Sequence, residues 1–116
     1  MLNNFKCCMN KRNMDRGPQV DDITKEQIKE FVQRGAILID VRSPQEYNEG
    51  HLAQSICIPD YEILYKIENV ISDKKQEIVL YCISGYRSKI VQRKLQRLGY
   101  RRVYNLYNGI ENYCDF

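Results

Sequence analysis

From Thr24 onward the chain alternates two kinds of apolar pattern, and each stretch ends in a recognisable stop. Ile28, Phe31 and Val32 recur at helical spacing behind Thr24 and Gln27, which have capping-box spacing, and Gly35 closes the helix. Ala36-Ile37-Leu38-Ile39-Asp40-Val41 is a continuous apolar run broken only near its end, as expected of a strand buried on both faces of a parallel sheet. Ser43, Pro44 and Glu46 then form a second capping box with proline at the first helical position, and Gly50 ends that short helix. Ser55-Ile56-Cys57-Ile58-Pro59 reads as a brief strand, and Ile63, Leu64, Ile67, Val70 and Ile71 mark the stripe of another helix. After the turn Ser72-Asp73-Lys74-Lys75, a buried strand, Glu77-Ile78-Val79-Leu80-Tyr81, runs directly into Cys82. A helix with Ile90, Val91, Lys94, Leu95 and Leu98 on one side ends at Gly99, and Arg102-Val103-Tyr104-Asn105-Leu106 is the last strand. This alternation predicts an α/β fold, a central parallel sheet of about five strands with helices on both faces.

Residues 1 to 18, ending at Gly17-Pro18, lack periodicity and read as a flexible leader, with one domain over 19–116. A length of 116 residues suits a single domain that folds without staples. The net charge of +3 is too mild for a nucleic-acid binder, and no stacking platform for RNA is recognisable. Asn3, Asn4, Lys6, Asn10, Lys11 and Arg12 interrupt any secretory h-region, and no stretch is long enough to cross a membrane. A reducing cytoplasm is therefore expected. Five cysteines are then the unusual feature, because an odd number cannot all pair and no Cys-x-x-Cys suggests a zinc site. Cys7 and Cys8 read as solvated thiols of the leader, Cys57 as packing within its strand, and Cys114 as a bystander beyond the last element.

Cys82 differs from the other four. In open parallel sheets ligands bind beyond the carboxyl ends of strands, and Cys82 stands at such an end. The segment Cys82-Ile83-Ser84-Gly85-Tyr86-Arg87-Ser88 joins that strand to a helix, so its N–H groups are expected to converge into an anion cradle. Those groups, the positive helix end and Arg87 favour the sulfur as a nucleophilic thiolate. Gly85 opens backbone conformations closed to other residues. Arg87 in the first helical turn opposes the macrodipole and calls for a compensating anion, either a bound one or the thiolate. The ordinary alternative is a buried cysteine that merely ends a strand. Cysteine, glycine and arginine together between a buried strand and an amphipathic helix favour a reactive site.

Cys82-Ile83-Ser84-Gly85-Tyr86-Arg87 resembles the Cys-x-x-Gly-x-Arg active loop of single-domain rhodaneses, the rhodanese-like sulfurtransferases. Leu38-Ile39-Asp40-Val41-Arg42-Ser43-Pro44-Gln45-Glu46-Tyr47, followed by Gly50-His51-Leu52 and Ile56-Cys57-Ile58-Pro59, is similar to the family's other signature. The likeness spans about residues 20 to 113 in the expected order. Gln54-Ser55 stands where the family commonly has Gly-Ala, Asn108-Gly109 where it often has Gly-Gly, and Tyr113 where tryptophan is frequent. The resemblance implies a rhodanese-like fold and a ping-pong transfer of sulfane sulfur from thiosulfate or a persulfide-bearing protein, through a Cys82 persulfide, to a nucleophilic acceptor. It implies that Ile83, Ser84, Gly85, Tyr86 and Ser88 line the substrate site, that Arg87 orients an anionic donor, and that no metal or organic cofactor is used. A weakly catalytic sulfur-relay or binding module is the alternative. Phosphatases and arsenate reductases of the same fold have a loop one residue longer and usually a histidine before the cysteine, whereas here Tyr81 precedes Cys82 and four residues separate it from Arg87.

Asp40, Arg42 and His51 are expected to support the site rather than act in it. His51, the only histidine, sits in the Gly-His element, where a structural hydrogen bond is the expected role. Asp40 and Arg42, at a neighbouring strand end, are expected to pair with each other or to anchor Glu46 and the loop. From Arg87 to Arg102 the chain carries Arg87, Lys89, Arg93, Lys94, Arg97, Arg101 and Arg102 without one acidic residue. This run reads either as a solvated helix face or as a positive rim for anionic donors or an acidic partner protein.

Overall fold

A computed structural model describes residues 21–111. Five parallel strands, β1 (Asp22–Ile23), β2 (Ile37–Asp40), β3 (Ile56–Cys57), β4 (Ile78–Tyr81) and β5 (Val103–Leu106), form one sheet in the order β1-β5-β4-β2-β3. Four helices connect them: α1 (Lys25–Gln33), α2 (Pro44–Glu49), α3 (Ile63–Val70) and α4 (Tyr86–Arg97). This is the expected α/β architecture. The leader, Cys7, Cys8, Tyr113 and Cys114 lie outside the described residues.

The continuous apolar runs divide into two buried faces because successive strand side chains point to opposite sides. Ile39, Val41, Ile78, Leu80 and Cys82 pack in one cluster with Ile63 and Ile67 of α3 and Val91 and Leu95 of α4. Leu38, Val79, Tyr81 and Leu106 pack on the other face with Phe31 of α1, Leu52 and Ile110. Each such side chain contributes about 1.5–3 kcal/mol when fully buried. Cys82 therefore continues the face of Ile78 and Leu80, under the start of α4.

Both capping boxes form. Thr24 N donates to Gln27 Oε1 at 2.8 Å, and Ser43 N donates to Glu46 Oε1 at 3.0 Å while Glu46 N donates to Ser43 Oγ at 3.2 Å. The strands are shorter than their apolar runs, and β3 has only two residues. β1 is the strand that the sequence pattern does not announce, since two residues carry no periodicity; the N–H groups of Asn105 and Tyr107 secure it by donating to the carbonyls of Asp21 and Ile23. Asp40 of β2 lies opposite Tyr81 of β4, so the carboxyl ends of the two central strands are level. Among the described residues no helix is long and apolar enough to cross a membrane.

Candidate active site

The site is built where β4 runs out. Cys82 is 1% exposed. Gly85 takes a left-handed conformation (φ 93°) that other residues adopt only with strain, and it turns the chain into α4. The turn directs the Gly85 N–H to Cys82 Sγ at 3.2 Å, and the Ser88 N–H in the first helical turn donates to the same sulfur at 3.4 Å. Two main-chain donors thus converge on one sulfur at a positive helix end, where negative charge on that atom is stabilised.

Ser88 is fully buried, with its Oγ 3.4 Å from Cys82 Sγ. Its hydroxyl donates to Asn105 Oδ1 of β5, and the Asn105 amide is oriented by donating from Nδ2 to Asp22 Oδ1 at 3.3 Å. Lys89 Nζ, 2.7 Å from the same carboxylate oxygen, completes a polar chain from the sulfur to the sheet edge. Because the serine's one proton is committed to Asn105, its oxygen faces the sulfur as an acceptor. Asn105 takes part in this chain although its sequence context marks it only as a strand residue.

The segment after β5 clamps the back of the loop. Ile110 N donates to the Cys82 carbonyl at 3.1 Å and Glu111 N to the Ile83 carbonyl at 2.9 Å. A Cβ at Gly109 would lie 2.4 Å from both carbonyl oxygens. The Asn108-Gly109 departure is therefore accommodated, with Asn108 itself at φ 67°, a conformation that asparagine tolerates better than most residues.

Arg87 does not wait for a bound anion. Its Nη1 and Nη2 donate to Glu46 Oε1 and Oε2 at 3.1 and 3.0 Å, a bidentate pair. The chief anion that balances Arg87 is thus the capping-box glutamate of α2, a partner beyond the bound anion or thiolate expected from the sequence, and Cys82 adds a smaller share. Hydrogen bonding from Arg87 holds the Glu46 carboxyl down at about 2, and the same bond raises Arg87 above the ordinary guanidinium value.

Asp40 and Arg42 pair with each other. Both are buried, and Arg42 Nε and Nη2 donate to the Asp40 carboxylate at 2.7–3.1 Å. Burial opposes the Arg42 charge, but Asp40 more than offsets it and the guanidinium is held above its ordinary value. Arg42 Nη2 also donates to the Gly50 carbonyl at 2.6 Å, which fixes the end of α2 and with it Glu46. His51 Nδ1 lies 2.8 Å from the Tyr47 carbonyl, and the ring stacks on Tyr47 at 3.7 Å between centroids. Tyr81 Oη accepts from Leu52 N at 3.0 Å, and burial raises its phenol well above the ordinary value. Cys57 is half-buried with Sγ 3.6 Å from the Arg42 carbonyl, and burial raises its thiol. Of the remaining loop residues, Ile83 packs against the second apolar cluster, Ser84 is half-buried and Tyr86 is 50% exposed.

The sequence family described as Rhodanese-like domain matches residues 24–115. The chain belongs to the rhodanese-like family. It is 31% identical over 99 residues to a tRNA uridine(34) hydroxylase of Legionella pneumophila (strain Corby), a match that covers 80% of this chain and 39% of that protein. It is 28% identical over 93 residues to the thiosulfate sulfurtransferase GlpE of Haemophilus influenzae, covering 80% of this chain and 87% of that one. Among solved structures, reduced Bacillus anthracis CoADR-RHD aligns with a TM-score of 0.72 at 34% identity, covering 79% of this chain and 16% of that chain. The rhodanese-like chain thus spans about a quarter to two fifths of the hydroxylases it matches and most of the sulfurtransferase.

Proposed function

We propose that this rhodanese-like domain is a sulfurtransferase that works through a persulfide on Cys82. The observation that carries the reading is the convergence of the Gly85 and Ser88 N–H groups on Cys82 Sγ at the N-terminus of α4. The Cys82 thiolate attacks the outer sulfur of a donor. With thiosulfate the S–S bond breaks, sulfite leaves with the electron pair, and Cys82 retains the transferred sulfur as S–S⁻. With a persulfide R–S–SH the leaving group is R–S⁻. In the second half-reaction a nucleophilic acceptor takes the outer sulfur and Cys82 leaves as thiolate. The loop N–H groups from Ile83 to Ser88 stabilise negative charge on either sulfur, and Arg87 is a positioning residue that ties the loop to α2 through Glu46.

Arg93, Lys94, Arg97, Arg101 and Arg102 are exposed, and among the described residues no carboxylate forms an ion pair with them. Their field supports encounter with an anionic donor or an acidic, persulfide-bearing protein.

Incubation with a sulfur donor followed by intact-mass measurement tests the reading. The wild type is expected to gain one sulfur atom, and Cys82→Ser none. Equal gain by both proteins, or by neither, removes Cys82 from the mechanism.

A further inference from the structure

The state of Arg87 bears on which donor the site takes. In the sequence it is the loop's one cation, five residues after the cysteine. In the structure each of its terminal nitrogens donates one hydrogen to the Glu46 carboxylate, which balances its charge. Glu46 is itself fixed three ways, since its Oε1 also accepts the Ser43 N–H, its own N–H donates to Ser43 Oγ, and α2 is tied down by Arg42 on the Gly50 carbonyl. Its carboxyl, held at about 2, stays ionised throughout the neutral range. Cys82 and, more weakly, Asp60 add further negative charge that Arg87 feels. A small dianion approaching Cys82 therefore meets a cation whose charge a fixed carboxylate already balances, and that carboxylate repels a second anion drawn to the guanidinium.

We infer that Glu46 is a specificity-determining residue that disfavours free dianionic donors such as thiosulfate and favours a persulfide, whose outer sulfur carries at most one charge and needs no arginine. This rests on the sulfur-transfer reading of Cys82. A persulfide sulfur meets the Gly85 and Ser88 N–H groups that converge on Cys82 Sγ, while thiosulfate brings in addition a sulfonate whose charge Glu46 repels.

Glu46→Gln removes the charge but keeps an oxygen for Ser43 N and Arg87, because glutamine also serves at this capping-box position. The rate of sulfur gain by Cys82 is followed by intact mass with thiosulfate and, separately, with cysteine persulfide, in the wild type, in Glu46→Gln and in Glu46→Gln with Arg87→Met. Thermal melting verifies that each variant is folded. The ratio of the thiosulfate rate to the persulfide rate is expected to rise about tenfold in Glu46→Gln, as removal of one nearby charge implies, and to fall back when Arg87 is also replaced. An unchanged or lower ratio in folded Glu46→Gln overturns the inference, as does a gain that persists without Arg87. If neither donor loads Cys82 in any of the three proteins while iodoacetamide still alkylates it, the sulfur-transfer reading itself fails, and the inference with it.

Discussion

The two central strands end alike in outline and differ in what their ends leave open. β2 and β4 finish level with one another, each delivers an anionic or acidic group, and each is followed by an arginine. At the end of β2 the arginine comes two residues after the aspartate and folds back on it, so Asp40 and Arg42 close into a buried pair. At the end of β4 the arginine comes five residues after the cysteine, beyond a left-handed glycine, and reaches across to Glu46 in α2, the helix that follows β2. The sulfur is left to main-chain donors. An anion neutralised by its own side-chain cation is a strut, whereas one held by the N–H groups of a turn can exchange its charge with a substrate because those donors stay fixed. Spacing after the strand decides between the two outcomes.

The largest effect comes from breaking the closed end. Asp40→Asn leaves the Arg42 guanidinium buried without its counter-charge, and a loss of about 3–5 kcal/mol is expected in urea unfolding. A loss below about 1 kcal/mol would place the pair among ordinary surface bridges and erase the contrast. The open end answers differently to Gly85→Ala. A Cβ in that left-handed conformation costs about 1–2 kcal/mol, and moving the N–H from Cys82 Sγ is expected to slow sulfur loading about 10- to 100-fold. A protein that melts lower yet loads at the wild-type rate would show that this donor does not hold the sulfur.

Much of this contrast is legible in the sequence. The continuous runs ending in Asp40 and Tyr81 announce two buried strands, and the capping residues Thr24 and Ser43 announce the helices that follow. Cys82, Gly85, Arg87 and Ser88 can be picked out because local spacing puts them at one strand-to-helix turn. What the residues could not declare is long-range pairing. Glu46 reads as a helix cap because its partner lies 41 positions away, and Asn105 reads as one residue of a strand because its hydrogen bond to Ser88 crosses from β5 to α4. β1 escapes for a related reason, since its identity as a strand comes from β5 and not from its own two residues. Gln54 takes a left-handed φ of 68° at the place where the family resemblance leads one to expect glycine, so the turn survives the substitution that the sequence pattern questions.

The smallest expected effect separates the two arginine pairs by their response to protons. Glu46 is about a third exposed, so its bridge to Arg87 contributes about 1 kcal/mol or less. Its folded-state value, lowered from 4.5 to about 2 chiefly by the Arg87 hydrogen bond, fixes the sign. A carboxyl that is more acidic in the folded chain adds stability that is complete above the unfolded value and disappears as pH falls through the folded one. Glu46→Gln cannot titrate at this position. The excess stability of the wild type over that variant should therefore be constant from neutral pH down to about 5, shrink below 4.5 and vanish near 2. Urea unfolding of both proteins at pH about 6 and about 3 measures the difference, and other carboxylates cancel because both chains carry them. An excess that grows on acidification would mean that the folded chain binds the proton more tightly than the unfolded one, and Glu46 would then not be the anion that balances Arg87.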